Sequence, residues 1–132
     1  MAAAGFFTTA AAASDLTFTG YARSREDGRR LYSESHHVHR AGEVGESRIV
    51  LYRCATGGAA FARKQLDYGK VREEPEFSFI DARSGYAEGL RRTASGLRVY
   101  QQESTAAKRR EAAVPAGTAT VADAGFDEFV RK

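Results

Sequence analysis

Residues 16–40 read LTFTGYARSREDGRRLYSESHHVHR, and the spacing within them decides the fold. Leu16, Phe18, Gly20 and Ala22 fall on one face of an extended chain, with Thr17, Thr19, Tyr21 and Arg23 on the other. Period-two alternation of this kind marks a half-buried β-strand. Asp27-Gly28 then gives a two-residue hairpin signal, because both central positions of a type I′ turn require positive φ. Arg29 to Arg40 reads as the returning strand, so the chain opens as an antiparallel hairpin.

The same grammar continues outward. AGEVGE at 41–46 turns the chain, and SRIVLYRC at 47–54 supplies a strand with apolar groups on both faces, the mark of a central or covered strand. TGG at 56–58 turns again into AAFARKQLDY. GKVREEPE is charged and contains Pro75, which cannot donate to a ladder, so it reads as a loop or crossover. FSFIDARSGYAEGLRR, TASG and LRVYQQES give one or two short strands, a turn and another strand. STAAKRREAAV reads as a polar strand or a short helical turn, and TATVAD as a last strand. The expected architecture is all-β and mainly antiparallel. It is a meander of roughly seven to nine short strands forming a half-barrel or sandwich. Leu16, Phe18, Ile49, Val50, Leu51, Tyr52, Phe61, Leu66, Phe77, Phe79, Leu97 and Val99 are the expected core.

Both ends depart from this pattern. Residues 2–13 are uncharged, small and apolar, which resembles the core and cleavage region of a secretory signal, although no Lys or Arg precedes them. Residues 1–15 are therefore read as an Ala-rich tail or signal remnant, and 16–132 as one domain. The expected location is periplasmic or secreted, and otherwise cytoplasmic. At the other end, Phe126, Phe129 and Val130 lie at helical spacing behind Asp123, which predicts a short C-terminal helix. Its exposed apolar stripe calls for cover from the mouth or edge of its own sheet or from a second copy of the chain, with self-association as a homodimer slightly preferred.

The whole chain of 132 residues is long enough to bury one core. A net charge of +3, with acidic and basic residues interleaved, argues against a dedicated nucleic-acid binder. No apolar run approaches the ~20 residues that span a bilayer. Cys54 is the sole cysteine, so no internal disulfide forms, and its apolar strand places it as a small buried residue.

LYSESHHVHR, FARKQLDY, DARSGYAEGL and DAGFDEFVRK together resemble the N-terminal part of a family of exported, β-rich bacterial proteins. The resemblance implies export and a β-rich fold continuing into further strands. It implies no activity, and no catalytic residue is carried over from it.

Chemistry has few candidates. All three histidines fall within SESHHVHR, with His37 and His39 sharing one face of the strand and His36 the other. An H-x-H pair is a metal-binding geometry, with zinc the ion and Asp67 or Asp81 the candidate third ligand. The plainer reading is a polar strand face. There is no nucleophile elbow and no phosphate-binding glycine loop, so no catalytic residue is assigned and an enzyme is not favoured. Glu34, Asp67, Asp81 and the REEPE loop are the carboxylates available for acid–base work. Arg29-Arg30, Arg91-Arg92 and Lys108 to Arg110 could line a phosphate surface. Tyr21, Tyr32, Tyr52, Tyr86 and Tyr100 would be its stacking rings. Three function classes result. The first is a non-enzymatic exported domain that binds an apolar or amphipathic small ligand in a curved sheet, without a cofactor. The second is a metal-binding protein or metal-dependent enzyme. The third is a nucleic-acid-binding β module.

Overall fold

The computed structural model describes residues 13–42, 45–69, 71–117, 120–125 and Val130. Eight strands follow one another: β1 (Ser14–Arg23), β2 (Arg30–Arg40), β3 (Glu46–Cys54), β4 (Ala62–Tyr68), β5 (Glu76–Asp81), β6 (Tyr86–Thr93), β7 (Gly96–Gln102) and β8 (Arg110–Ala113). They form one open sheet in the order β1 to β8, and every neighbouring pair is antiparallel. The meander expected from the alternation is therefore present as a single unclosed sheet, not as two packed sheets.

Turn chemistry explains the connections. The β1–β2 loop is longer than the two-residue turn that Asp27-Gly28 suggested, because only Gly28 adopts positive φ, at 70°. The Ser24 hydroxyl instead accepts the N–H groups of Glu26 and Asp27, and Asp27 accepts that of Arg29. The Gly28 N–H closes the loop on the Ser24 carbonyl. FSFIDARSGYAEGLRR divides into β5 and β6 because Gly85 takes φ 75° and donates to the Asp81 carbonyl. GKVREEPE is a loop and no crossover, since β4 and β5 remain neighbours. STAAKRREAAV resolves into a turn followed by β8. TATVAD contributes no strand among its described residues, from Thr120 onward.

Residues directly opposite one another in an antiparallel pair share a face, so the register sorts the sheet into two sides. One transverse row runs Leu16, Val38, Arg48, Leu66, Phe77, Leu90, Val99 across seven strands. It is the spine of the core face. Burial falls off along it: Val38 and Leu66 are buried, whereas Leu16 and Val99 near the two edges are 46% and 42% exposed. The core centres on Val50, Leu66 and Tyr68, with Tyr52, Phe77 and Ala124 packed against them. Of the twelve residues expected in the core, only Val50 and Leu66 are buried, and Leu16, Phe18 and Val99 are exposed. An open sheet covers its middle and not its margins. Alternation reports which face a residue takes and does not report that gradient.

The cover comes from two segments without strand structure. The Tyr68 hydroxyl donates to the Ala124 carbonyl at 3.0 Å, and the Ala122 N–H donates to the Glu73 carbonyl at 3.0 Å. Gly125 lies so close to Glu73 and Pro75 that a side chain there would collide with them. Tyr68 and Pro75 are fully enclosed by this arrangement. Where a helix from Asp123 is expected, the described chain makes a 3-10 turn, Asp123–Gly125. Phe126 and Phe129 lie outside the described residues, and Val130 is 64% exposed. Residues 1–12, read as a tail or leader, also lie outside them, and β1 begins at Ser14.

Candidate functional site

The three histidines separate as the strand period requires. His37 and His39 face the outer side of the sheet, opposite Thr17 and Asp15 of β1 and opposite Ile49 and Ser47 of β3. They line a cleft of about 260 Å³ together with Asp15, Leu16 and Val38. His39 Nδ1 lies 2.6 Å from an Asp15 carboxylate oxygen, with both side chains mostly in water. Asp67 shares this outer face, but the register places it two strands from His39, about 10 Å away at ordinary strand spacing. Zinc needs donors ~2 Å from the ion. Asp81 pairs with Ala62 on the core face and so points away from the histidine pair. Among the described residues, no group of three His, Cys, Asp or Glu side chains is arranged to hold a metal ion.

His36 faces the core side. Its ring stacks on Phe18 of β1, with centroids 4.5 Å apart and planes within 7°, and Nε2 lies 3.3 Å from Glu34. Its Nδ1 is buried without a hydrogen-bond partner. Burial holds the imidazole below its ordinary pKa. Glu34 pulls it back up, while Arg48 and His37 push it further down. A folded pKa lower than the unfolded one favours folding in full above the unfolded value, about 6.5, and that contribution is lost as pH falls through the folded value. Thermal melts should therefore drop as pH falls below about 6.5. His36→Phe, which keeps a stackable ring without the titration, should flatten that slope.

The core face also carries a connected set of rings that no motif announced. Tyr32 of β2 and Tyr52 of β3 lie 6.2 Å apart, and Tyr52 meets Phe61 at 6.4 Å. Tyr52 also meets Phe79 of β5 edge-on at 5.7 Å, and Phe79 meets Tyr86 of β6 at 6.2 Å. The Tyr52–Phe79 contact spans the width of β4. Ala62, directly opposite both Tyr52 and Asp81, is small enough to leave that path open. All five rings are partly exposed. Polar groups border them. The Tyr86 hydroxyl donates to Glu88 at 2.7 Å and accepts from Gln101 at 3.3 Å. The Gln101 contact lowers the phenol's pKa, but Glu88, burial and the nearby charge of Glu103 together outweigh it, so the hydroxyl stays protonated above its ordinary value. Asp81 is held below the carboxylate range by hydrogen bonds from Arg83, whose guanidinium stacks on Phe61 at 3.8 Å. Aromatic residues at period two in consecutive strands were the available signal. Registering them against each other required the pairing.

The remaining candidates are dispersed or neutralised. Tyr21 and Tyr100 take the outer face, so the five tyrosines make no common stacking platform. Arg29 pairs with Asp27, Arg91 with Glu111, Arg92 with Glu74 and Arg110 with Glu103. Arg30 stacks on Tyr21 and Arg109 on Tyr100. Cys54 is exposed, contrary to its expected burial, because it ends β3 beyond the covered middle of the sheet. A cleft of about 330 Å³ is lined by Asp67, Gly69, Val71, Glu74, Glu76 and Arg92, and is too charged to serve an apolar guest. No helix among the described residues is long and apolar enough to cross a membrane. No family model, curated protein or solved structure matches this chain.

Proposed function

We propose that this chain is a non-enzymatic, exported binding domain whose core-face aromatic run takes up an amphipathic small ligand. The observation that carries the reading is the run itself, Tyr32–Tyr52–Phe61–Phe79–Tyr86, partly exposed on one face and bordered by Glu34, Asp81, Glu88 and Lys64. Rings offer a large apolar contact at low entropic cost, and the phenol and carboxylate groups beside them suit a polar head. The ligand lies along the sheet and not inside a closed cavity. Export rests on the uncharged, apolar residues 2–13.

The test is a titration with Nile red, an uncharged dye whose emission rises on apolar contact, read by probe fluorescence. The chain has no tryptophan, so the probe's signal stands clear of the protein's own. Tyr52→Ala removes the ring at which three others meet and should weaken binding by about tenfold or more. Tyr100→Ala, on the outer face, should leave it unchanged. Equal loss in both variants, or no saturable binding, overturns the reading. Retention of a single-stranded oligonucleotide that falls steeply with salt would favour the nucleic-acid alternative.

A further inference from the structure

The two edges of this sheet are built differently. β8 is four residues long, carries Arg110 and Glu111, and is followed closely by Pro115, which are standard protections against strand addition. β1 runs for ten residues, Ser14–Arg23, with no Pro or Lys, and charge only at Asp15 and Arg23. Among the described residues nothing pairs with its outer side. Leu16 and Phe18 project 46% and 45% exposed from its core face, and Tyr21 55% exposed from its outer face. A long, apolar, unprotected edge is a template for another strand.

The order of residues in β1 says which strand. We infer that β1 pairs antiparallel with β1 of a second copy about a twofold axis at Thr19, joining two eight-stranded sheets into one. In this register Asp15 meets Arg23 of the other copy, Leu16 meets Ala22, Thr17 meets Tyr21, Phe18 meets Gly20, and Thr19 meets itself. Every large side chain faces a small one, and the terminal charges are opposite in sign at both ends. Gly20 has open space where a side chain would stand, so the Phe18 ring of the other copy can lie across it. The two Phe18 rings then sit as diagonal neighbours, about 7–8 Å apart at their backbones. Each is already stacked on its own His36. Slipping the register by two residues would set Phe18 against Phe18 and leave Arg23 opposite Ala13, without a carboxylate. A twofold strand pair closes on itself, so the product is a dimer and not a fibre.

The experiment uses the full chain. Sedimentation across a micromolar dilution series should show a reversible monomer–dimer equilibrium. Asp15→Arg and Arg23→Asp should each weaken the dimer by about tenfold, because each turns two attractive contacts into repulsive ones. An equimolar mixture of the two variants restores opposite signs at both ends and should recover dimerisation. On a Cys54→Ser background, Thr19→Cys should cross-link under mild oxidation. Thr17→Cys, displaced from its own copy by four residues, should not. A monomer at every concentration, a dimer indifferent to both charge reversals, or cross-linking through Phe18→Cys in place of Thr19→Cys would each overturn the inference. Recovery in the mixture together with the Thr19 cross-link establishes it. Neither readout depends on the aromatic run binding a ligand.

Discussion

Replacing Leu66 with Ala is expected to lower the stability of the fold by about 3–4 kcal/mol, a large share of what a domain this size holds. Leu66 sits in the middle of β4, opposite Arg48 and Phe77 in the register, and is only 4% exposed. It belongs to a core of very few fully buried side chains, with Val50 and Tyr68 as its partners and Ala124 over them. Among the described residues no second layer lies over the sheet to collapse into the vacated space. The lost transfer energy and the cavity cost therefore both appear. The urea midpoint should fall steeply while its slope is retained. Ile80→Ala, on the outer face at 51% exposure, should move the midpoint by about 0.5 kcal/mol or less. Comparable losses at the two positions would mean that the core is not where the packing places it.

The alternation in LTFTGYARS and the glycine punctuation were enough to give the strands, because period two and positive-φ turns are local properties of the chain. They also sorted most side chains to the correct face, as His36 shows by standing on the side away from His37 and His39. Two things were not legible. Burial within the core face depends on the segments around Glu73 and Ala124, which are irregular and carry no periodic signal. Leu90 and Val38 were thus missed, while Leu16 and Phe18 were expected inside. The aromatic run depends on cross-strand register, which brings Tyr52 to Phe79 past the small Ala62 although 27 positions in sequence separate them. Among the described residues the histidine pair gathers no third ligand, for a related reason. Asp67 and Asp81 are plausible by residue type, yet one lies two strands away and the other on the opposite face.

Glu46→Ala should cost about 2–3 kcal/mol, less than the full penalty for breaking a buried pair because two of its partners are partly hydrated. Glu46 is the buried charged residue of the described chain, 6% exposed, and it is shared by three guanidinium groups. Arg40 bonds one oxygen at 3.0 Å, Arg48 the other at 2.8 Å, and Arg72 approaches at 3.5 Å. Arg48 and Arg72 also flank the Tyr68 ring, at 5.1 and 4.9 Å. Removing the carboxylate takes away the anion that Arg48 and Arg72 share beside an enclosed tyrosine, so the damage reaches the core through Tyr68. Burial works against the charge on Glu46. Hydrogen bonds from Arg48 and Arg40 and the nearby charges of Arg48 and Arg72 outweigh it, and the pKa lies below its ordinary value. A depressed folded pKa stabilises above the unfolded value, about 4.3, and that stabilisation disappears as pH falls through the folded one. The wild-type chain should therefore lose stability on acidification below about pH 4. Glu46→Gln, which keeps an acceptor without the charge, should fall between wild type and Ala at neutral pH and show a shallower loss at low pH, the remainder coming from carboxylates such as Asp81. If the variants and the wild type melt in parallel down to pH 2.5, roughly two units below the usual glutamate value, then Glu46 does not organise this corner of the sheet.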